Sequence, residues 1–127
     1  MDGEQLPQGI LTVQIVAMPK DTNANGDIFG GWLVSNMDMG GGIEVRRYSG
    51  SRVVTVAIDG MRFIKPVSIG DLVSCYAKLL KVGQTSMHYS IEVWTLSIHH
   101  KKLVKVADGT FIYVAIDETG KKHPINR

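Results

Sequence analysis

The distribution of apolar residues along the chain predicts one long helix and a series of β-strands. Between residues 31 and 48, apolar side chains recur at helical spacing among small and polar residues. The predicted strands carry alternating or β-branched apolar residues, and they cover residues 10–17, 53–58, 61–64, 72–82, 86–98 and 103–116. A helix that is apolar over much of its surface needs cover on several sides. We therefore expect an α+β fold in which an antiparallel sheet of about five strands curls around the helix.

Glycines and polar turn formers mark the expected ends of these elements. Gly50 follows the last helical residues and is expected to end the helix. Gly83-Gln84 provides a hairpin turn. Asp59-Gly60 is expected to interrupt a strand, and Asp108-Gly109 predicts a bulge or a close approach of another backbone.

The run at residues 53–58 is apolar on both faces, which predicts an interior strand covered on both sides. The edges and the outer face of such a sheet still need cover. This need favours pairing with a second copy of the chain.

The predicted helix contains an unusual group of residues. Asp38 is followed closely by three consecutive glycines, Gly40, Gly41 and Gly42. Each interior glycine costs about 0.5–1 kcal/mol relative to alanine, so this helix must be stabilised by packing rather than by propensity. Without side chains, the glycines also allow another backbone or a ligand to approach closely.

Composition narrows the classes of function. The 127 residues are 44% hydrophobic and 20% charged, which is typical of one globular domain; we expect it to span residues 1–127 with a flexible N-terminus at residues 1–9. The net charge of +2 is too small to indicate binding to nucleic acid or to a membrane surface. No stretch approaches the ~20 apolar residues of a membrane span, and no signal peptide is evident.

The cysteine and the histidines indicate neither a disulfide nor a metal site. The single cysteine, Cys75, excludes an internal disulfide, indicates a reducing cytoplasmic location and is expected to be buried. The four histidines, His88, His99, His100 and His123, show no metal-ligand spacing, so we expect no metal site.

The most specific motif lies at the start of the helix. The run MPKDTNANGDIFGGW at residues 18–32, followed by MDMGG at 37–41, resembles the YciA-type acyl-CoA thioesterases of the hotdog fold. RVVTVA at 52–57 and FIKPV at 63–67 extend the resemblance, which covers residues 18–124. It implies a helix wrapped by a curved antiparallel sheet and a homodimer with a continuous sheet. It also implies hydrolysis of acyl-CoA at the dimer interface, often in a trimer of dimers, without a cofactor because CoA is part of the substrate.

The resemblance assigns roles to residues around the helix start. Asp38 matches the catalytic acid; it lies on the same helix face as Gly31, and we expect the positive end of the helix to keep it ionised as base or nucleophile. Asn23 matches an active-site residue supplied by the partner subunit, although it also suits an Asx-turn or cap. The Gly30 and Gly31 amides are candidate oxyanion donors, or simply a tight turn. Asp27 is expected to cap the helix.

The substrate contacts are implied by the same resemblance. Lys65-Pro66 and the hairpin at residues 83–86 are expected to hold the CoA phosphates. Gln84 stands where relatives commonly have arginine, so Lys81, Lys101 or Lys102 are possible substitutes. The complete set of expected binding residues is Trp32, Phe63, Lys65, Pro66, Gly83, Gln84, Thr85 and Ser86. The side chains of Trp32, Phe63, Met37 and Met39 either line the acyl pocket or belong to the core.

We therefore expect an acyl-CoA thioester hydrolase. Two alternatives stay open at this point. One is a non-catalytic acyl-CoA-binding or regulatory hotdog protein, which would need neither Asp38 nor Asn23. The other is a thioesterase that acts on acyl carrier protein, which presents the same pantetheine without the nucleotide.

Overall fold

The computed structural model describes residues 6–97 and 101–125. Apart from a single 3-10 turn at Pro19–Asp21, the regular elements in chain order are β1 (Ile10–Val16), α1 (Gly30–Ser49), β2 (Arg52–Phe63), β3 (Leu72–Val82), β4 (Ser86–Leu96) and β5 (Leu103–Ile116). The predicted helix and strands are thus present, most with ends within two residues of the expected positions. Ile98, the predicted last residue of β4, lies outside the described residues.

The strands form one antiparallel sheet in the order β1-β3-β4-β5-β2, and α1 packs against all five strands. Alternation along β4 places Met87, Tyr89, Ile91 and Val93 in the core, as their spacing predicted. The helix contributes buried residues such as Met37 to the same core. The expected architecture, one long helix and a five-stranded antiparallel sheet, is confirmed.

The prediction of an interior strand at residues 53–58 is wrong for the single chain. β2 lies at the edge of the sheet, and it leaves Val54, Val56 and Ile58 exposed by 40%, 54% and 39%. An apolar run shows that a strand is meant to be covered, but it does not show whether the same chain or another one provides the cover. Pairing with a second copy of the chain would explain why an apolar strand lies at the edge of the sheet.

The predicted break at Asp59-Gly60 is also wrong. β2 continues to Phe63 and absorbs the irregularity as a bulge, because Asp59 pairs with Thr110 while Arg62 pairs with Asp108. Gly109 lies opposite this bulge, where a Cβ would be 3.4 Å from the Cα of Met61. The close backbone approach expected at Asp108-Gly109 is therefore present, with the extra residue on the neighbouring strand.

The helix ends as predicted. Gly50 adopts the left-handed conformation with φ of 64°, and its N–H donates to the carbonyl of Arg46 at 2.8 Å. Inside the helix, Gly40 and Gly41 are buried against the sheet, where a Cβ on Gly40 would lie 2.5 Å from Thr12 Oγ1. The sequence predicted the approach of another backbone or a ligand, whereas the atoms closest to Gly40 and Gly41 belong to side chains on strands of the same chain.

The chain ends are held to the sheet in the described part. The Gln8 amide donates to Glu92 Oε1 at 3.2 Å, within the segment expected to be flexible; residues 1–5 lie outside the description. At the other end, Ile125 is buried and its N–H donates to the carbonyl of Gln84 at 2.9 Å. Within residues 6–97 and 101–125, no helix has the length and apolarity needed to cross a membrane.

Candidate active site

Asp38 is held by two hydroxyl groups from the sheet. Its Oδ1 accepts a hydrogen bond of 2.6 Å from Thr55 Oγ1 on β2 and one of 3.3 Å from the Tyr113 hydroxyl on β5. The same tyrosine hydroxyl lies 3.1 Å from the main-chain carbonyl oxygen of Asp38. Since a phenol has one proton, these two acceptors share it. Burial, and then the charge of Asp38, raise the pKa of Tyr113, which keeps the phenol a neutral donor.

The second oxygen of the carboxylate is different. Across the described part of the chain, no hydrogen bond uses Asp38 Oδ2. Asp38 is only partly exposed. One oxygen is therefore oriented by hydroxyls while the other is available to a water or to a substrate carbon, an arrangement suited to a general base or nucleophile.

The physical source of this arrangement differs from the one expected. Asp38 is the ninth residue of α1, about 12 Å along the axis from Gly30, whereas the helix dipole acts mainly within the first turn. The interactions come instead from Thr55 and Tyr113, which sequence reasoning missed. In the sequence, each of these residues is only a hydroxyl-bearing residue within an apolar strand. The pattern around it does not show that it contacts Asp38 on the helix.

Asn23 lies on the exposed loop before the helix. Its Oδ1 accepts hydrogen bonds from the main-chain N–H groups of Asn25 at 2.9 Å and Asp27 at 3.2 Å. The main-chain N–H of Asn23 donates to the Asp27 carbonyl at 2.7 Å. The Asx-turn alternative is therefore real within one chain. Within residues 6–97 and 101–125, no hydrogen bond joins Asn23 to Asp38.

The capping role expected for Asp27 is wrong. The residue that precedes the helix is Phe29, and among the described residues no side chain forms a cap hydrogen bond there. Asp27 is exposed and closes the loop through its backbone. The side chain that accepts hydrogen bonds in this loop is Asn23, and it binds amides of the loop rather than amides of the helix start.

The helix start leaves the two predicted oxyanion donors available. In the described residues, neither Gly30 N–H nor Gly31 N–H donates a hydrogen bond to the protein. Gly30 lies against the ring of Phe63, where a Cβ would be 3.0 Å from Cζ. A cavity of about 320 Å³ brings Gly30 together with Phe63, Lys65 and Pro66.

The aromatic and methionine residues divide between core and surface. Trp32 is partly buried and packs against the core, and Met37 is fully buried in it. Met39 is 57% exposed on the helix, and Phe63 is 55% exposed beside the cavity at Gly30. Of the four candidates for an acyl pocket, only Phe63 lines that cavity.

One chain does not bring all the expected CoA contacts together. The hairpin at residues 83–86 is held by its own turn and by Ala115 and Ile125, whose amides donate to the carbonyls of Thr85 and Gln84. Met87 pairs with Tyr113 and Phe63 with Ala107. Six residues of β5, about 20 Å, therefore separate the hairpin from the region of Lys65.

A second cavity lies beside Lys65-Pro66. It has a volume of about 950 Å³, and its lining includes Lys65, Lys101 and Lys102 together with Ser68 and Thr95. Two of the three lysines that were considered as substitutes for an arginine thus face a common cavity. Lys81 lies on β3 and does not line it.

The described residues contain no group of three or more His, Cys, Asp and Glu side chains able to hold a metal ion. His99 and His100 lie outside the described residues. Cys75 is buried, and burial raises the pKa of its thiol to about 12, so it is not a reactive nucleophile.

Comparison with known proteins identifies relatives over nearly the whole chain. The profile of the thioesterase superfamily matches residues 25–100. The acyl-CoA thioester hydrolase YciA of Salmonella typhimurium is 48% identical over 125 residues, which are 96% of this chain and 94% of that protein. The hexameric thioesterase y2039 of Yersinia pestis superposes with a TM-score of 0.92 at 47% identity, covering 96% of this chain and 100% of that one.

A more distant enzyme bears on the candidate residues. The acyl-CoA hydrolase of Staphylococcus aureus, at 27% identity, has been solved as an asparagine-to-alanine mutant with coenzyme A (TM-score 0.84, 89% of this chain, 68% of that one). It has also been solved as an aspartate-to-alanine mutant (TM-score 0.82, 89% and 69%). The two mutated positions of that enzyme lie 15 residues apart, as Asn23 and Asp38 do here. The profile match and the near-complete coverage of YciA show that this chain belongs to the thioesterase superfamily, among its YciA-type hotdog members.

Proposed function

We propose that this protein hydrolyses acyl-CoA thioesters to CoA and a free carboxylic acid, with Asp38 as the general base or nucleophile. Relatives at 48% identity are named acyl-CoA thioester hydrolases, which supports the reaction class. The observation that carries the proposal is the geometry of Asp38, with Oδ1 bound by two hydroxyls and Oδ2 free of hydrogen bonds to the described residues. A protein that only bound acyl-CoA would have no use for a carboxylate presented in this way.

The reaction needs no redox step and no cofactor beyond the CoA of the substrate. In one route, Oδ2 takes a proton from water as the water oxygen attacks the thioester carbon. In the other, Oδ2 attacks first and water hydrolyses the resulting anhydride. In the first route a C–O bond to the water oxygen replaces the C–S bond. In the second, a C–O bond to Oδ2 replaces it, and water then cleaves the anhydride to release the acid and restore the carboxylate. In both routes the sulfur leaves as thiolate and takes up a proton.

The proposed site is shared by two chains. A reacting carbonyl must lie about 3 Å from both the attacking group and the oxyanion donors. Gly31 and Asp38 of one chain are seven helical residues apart, about 10 Å along the axis. The amides of Gly30 and Gly31 that serve one Asp38 are therefore assigned to the partner chain, together with its Asn23. The 15-residue spacing of mutated positions in the S. aureus enzyme supports the roles of Asn23 and Asp38.

The exposed apolar edge strand β2 supports a homodimer with a continuous sheet. The Yersinia relative is hexameric, and we propose the same trimer of dimers for this protein. In such an assembly, the hairpin at residues 83–86 of one chain and Lys65 of another can contact the same CoA. We assign the CoA phosphates to the cavity of Lys65, Lys101 and Lys102, with the hairpin as a further contact. The cytoplasmic location stays a prediction from the sequence.

The proposal is tested by thiol release from a panel of acyl-CoAs and acyl carrier proteins. Wild-type protein is compared with Asp38→Asn, which keeps the shape of the side chain and removes its charge. We expect turnover of acyl-CoA and a loss of at least about 100-fold in the variant, equivalent to about 2.7 kcal/mol of barrier. Oligomer size serves as the control for folding.

Three outcomes would contradict the proposal in different ways. CoA binding without turnover of any substrate would indicate a binding protein. Turnover of acyl carrier protein substrates alone would change the substrate class. Turnover of acyl-CoA that survives Asp38→Asn would keep the reaction and remove the site.

A further inference from the structure

The hydroxyl of Tyr113 contacts two atoms of one residue on the helix. It lies 3.1 Å from the main-chain oxygen of Asp38 and 3.3 Å from its Oδ1. The ring is buried, with 1% of its surface exposed. Because this rigid, buried group contacts both the backbone and the carboxylate of Asp38, it restricts rotation of the Asp38 side chain.

Gly41 gives the Tyr113 hydroxyl access to the helix. A Cβ at Gly41 would overlap this hydroxyl and would lie 2.5 Å from Ile91 Cδ1. Any other residue at position 41 would therefore push the tyrosine ring away from Asp38. By contrast, a Cβ at Gly42 would meet no atom of the described residues within 4 Å.

Tyr89 on the neighbouring strand is a natural comparison. Its ring packs edge-on against the Tyr113 ring, with centroids 6.2 Å apart at 78°. Tyr89 is fully buried, and its hydroxyl has no hydrogen-bond partner among the described residues. Of these two adjacent buried tyrosines, Tyr113 has a hydroxyl that reaches Asp38 and Tyr89 does not.

We propose that Tyr113 is a positioning residue that orients Asp38 for catalysis, and that the side chain missing at Gly41 makes this contact possible. The inference rests on the proposed function, because it assigns to Tyr113 the orientation of the group that attacks or activates water. Tyr113 holds Oδ1 from the buried side while Thr55 holds it from the edge strand, so Oδ2 faces the substrate. Loss of either contact relaxes a geometry on which the rate depends steeply.

Tyr113 and Tyr89 have different electrostatic neighbours. Those of Tyr113 are Asp38 on α1 and Tyr89 on β4. Glu44, Arg47 and Tyr48 act on Tyr89 from the later turns of α1. Changing Tyr113 therefore alters a donor to Asp38, whereas changing Tyr89 leaves the hydrogen bonds of Asp38 intact.

The experiment compares Tyr113→Phe with Tyr89→Phe in the full-length oligomer, using steady-state thiol release over a range of acyl-CoA concentrations. In Tyr113→Phe we expect kcat to fall about tenfold at nearly constant KM. In Tyr89→Phe we expect both quantities to match wild type.

Equal effects in the two variants, or an unchanged kcat in Tyr113→Phe, would overturn the proposal, since a purely structural role would lower stability alone. Crystal structures of both variants distinguish its failure from failure of the proposed function. Even if the wild-type protein hydrolyses no acyl-CoA, the Asp38 carboxylate should turn in Tyr113→Phe and stay in place in Tyr89→Phe. An unmoved carboxylate in both variants would overturn the positioning role.

Discussion

Thr55 on the edge strand β2 donates a 2.6 Å hydrogen bond to Asp38 on the helix. The bond joins a residue in an apolar, exposed edge to the carboxylate proposed as base or nucleophile. Since the edge is also the expected dimer surface, the geometry of the site and the assembly of the protein depend on the same strand.

Thr55→Val keeps the β-branched shape of the side chain and removes the hydroxyl. A hydrogen bond to a charged group contributes about 1.5–3 kcal/mol, so we expect kcat to fall about 10- to 100-fold. The measurement is steady-state thiol release with saturating acyl-CoA. Thr110→Val on β5 is the matched control and should be close to wild type, and a Thr55→Val enzyme with unchanged kcat would contradict the role of this bond.

The adjacent glycines Gly41 and Gly42 should respond oppositely to alanine. At Gly41 the new Cβ would overlap the Tyr113 hydroxyl and crowd Ile91, so we expect a loss of about 1–3 kcal/mol of stability from overpacking. At Gly42 it meets no atom of the described residues within 4 Å, and the better helix propensity should leave stability unchanged or raise it by up to about 1 kcal/mol. Thermal and urea unfolding of both variants provide the test. Equal losses at the two positions would show that Gly42 is packed as tightly as Gly41.

Asp108 should make stability depend on pH in the acid range. Arg62 donates to both of its oxygens, at 2.9 and 2.6 Å, and Lys105 lies 2.8 Å from Oδ2. The hydrogen bond from Arg62 above all lowers the pKa of Asp108 from 3.8 to about 2. Because the folded-state pKa is depressed, the stabilisation is present above the unfolded pKa and is lost as pH falls from about 4 through 2.

Asp108→Asn isolates this contribution. The difference in urea midpoint between wild type and variant should shrink as the pH is lowered from 5 to 2, because protonation removes from the wild type what the variant already lacks. A difference that stays constant over this range would assign the acid sensitivity to other carboxylates.

Val56→Lys tests the role of the β2 edge. Val56 is 54% exposed on an edge strand, and a lysine there opposes strand pairing with a second copy. We expect a smaller oligomer in analytical ultracentrifugation, together with a loss of activity, because the proposed site needs residues of two chains. Leu6→Lys is the control, at a residue 72% exposed and outside the strands, and it should keep both assembly and activity. A Val56→Lys protein of unchanged size would place the interface elsewhere.

Local signals were reliable where a single residue type decides the backbone. Gly50 ended the helix because it alone adopts φ of 64° there without strain. The 2.0-residue period of β4 placed Tyr89 and Ile91 in the core, because neighbouring side chains on a strand point to opposite faces. The prediction for Asp27 is wrong because Asn and Asp residues before a helix are equally suited to a helix cap and to an Asx-turn. In the folded loop the acceptor is Asn23.

The amino-acid sequence by itself determined the helix, the positions along the chain of the strands other than β2, the position of Asp38 on the helix and the family to which the chain belongs. These features follow from residue periodicity, turn chemistry and a long local motif. Only the tertiary structure decided that β2 is an edge and that Thr55 and Tyr113 meet Asp38 across 17 and 75 residues of chain. Contacts of this kind depend on the order of the strands in the sheet and on their register. These bring together residues that are distant in the sequence, and the local pattern around one does not identify the other.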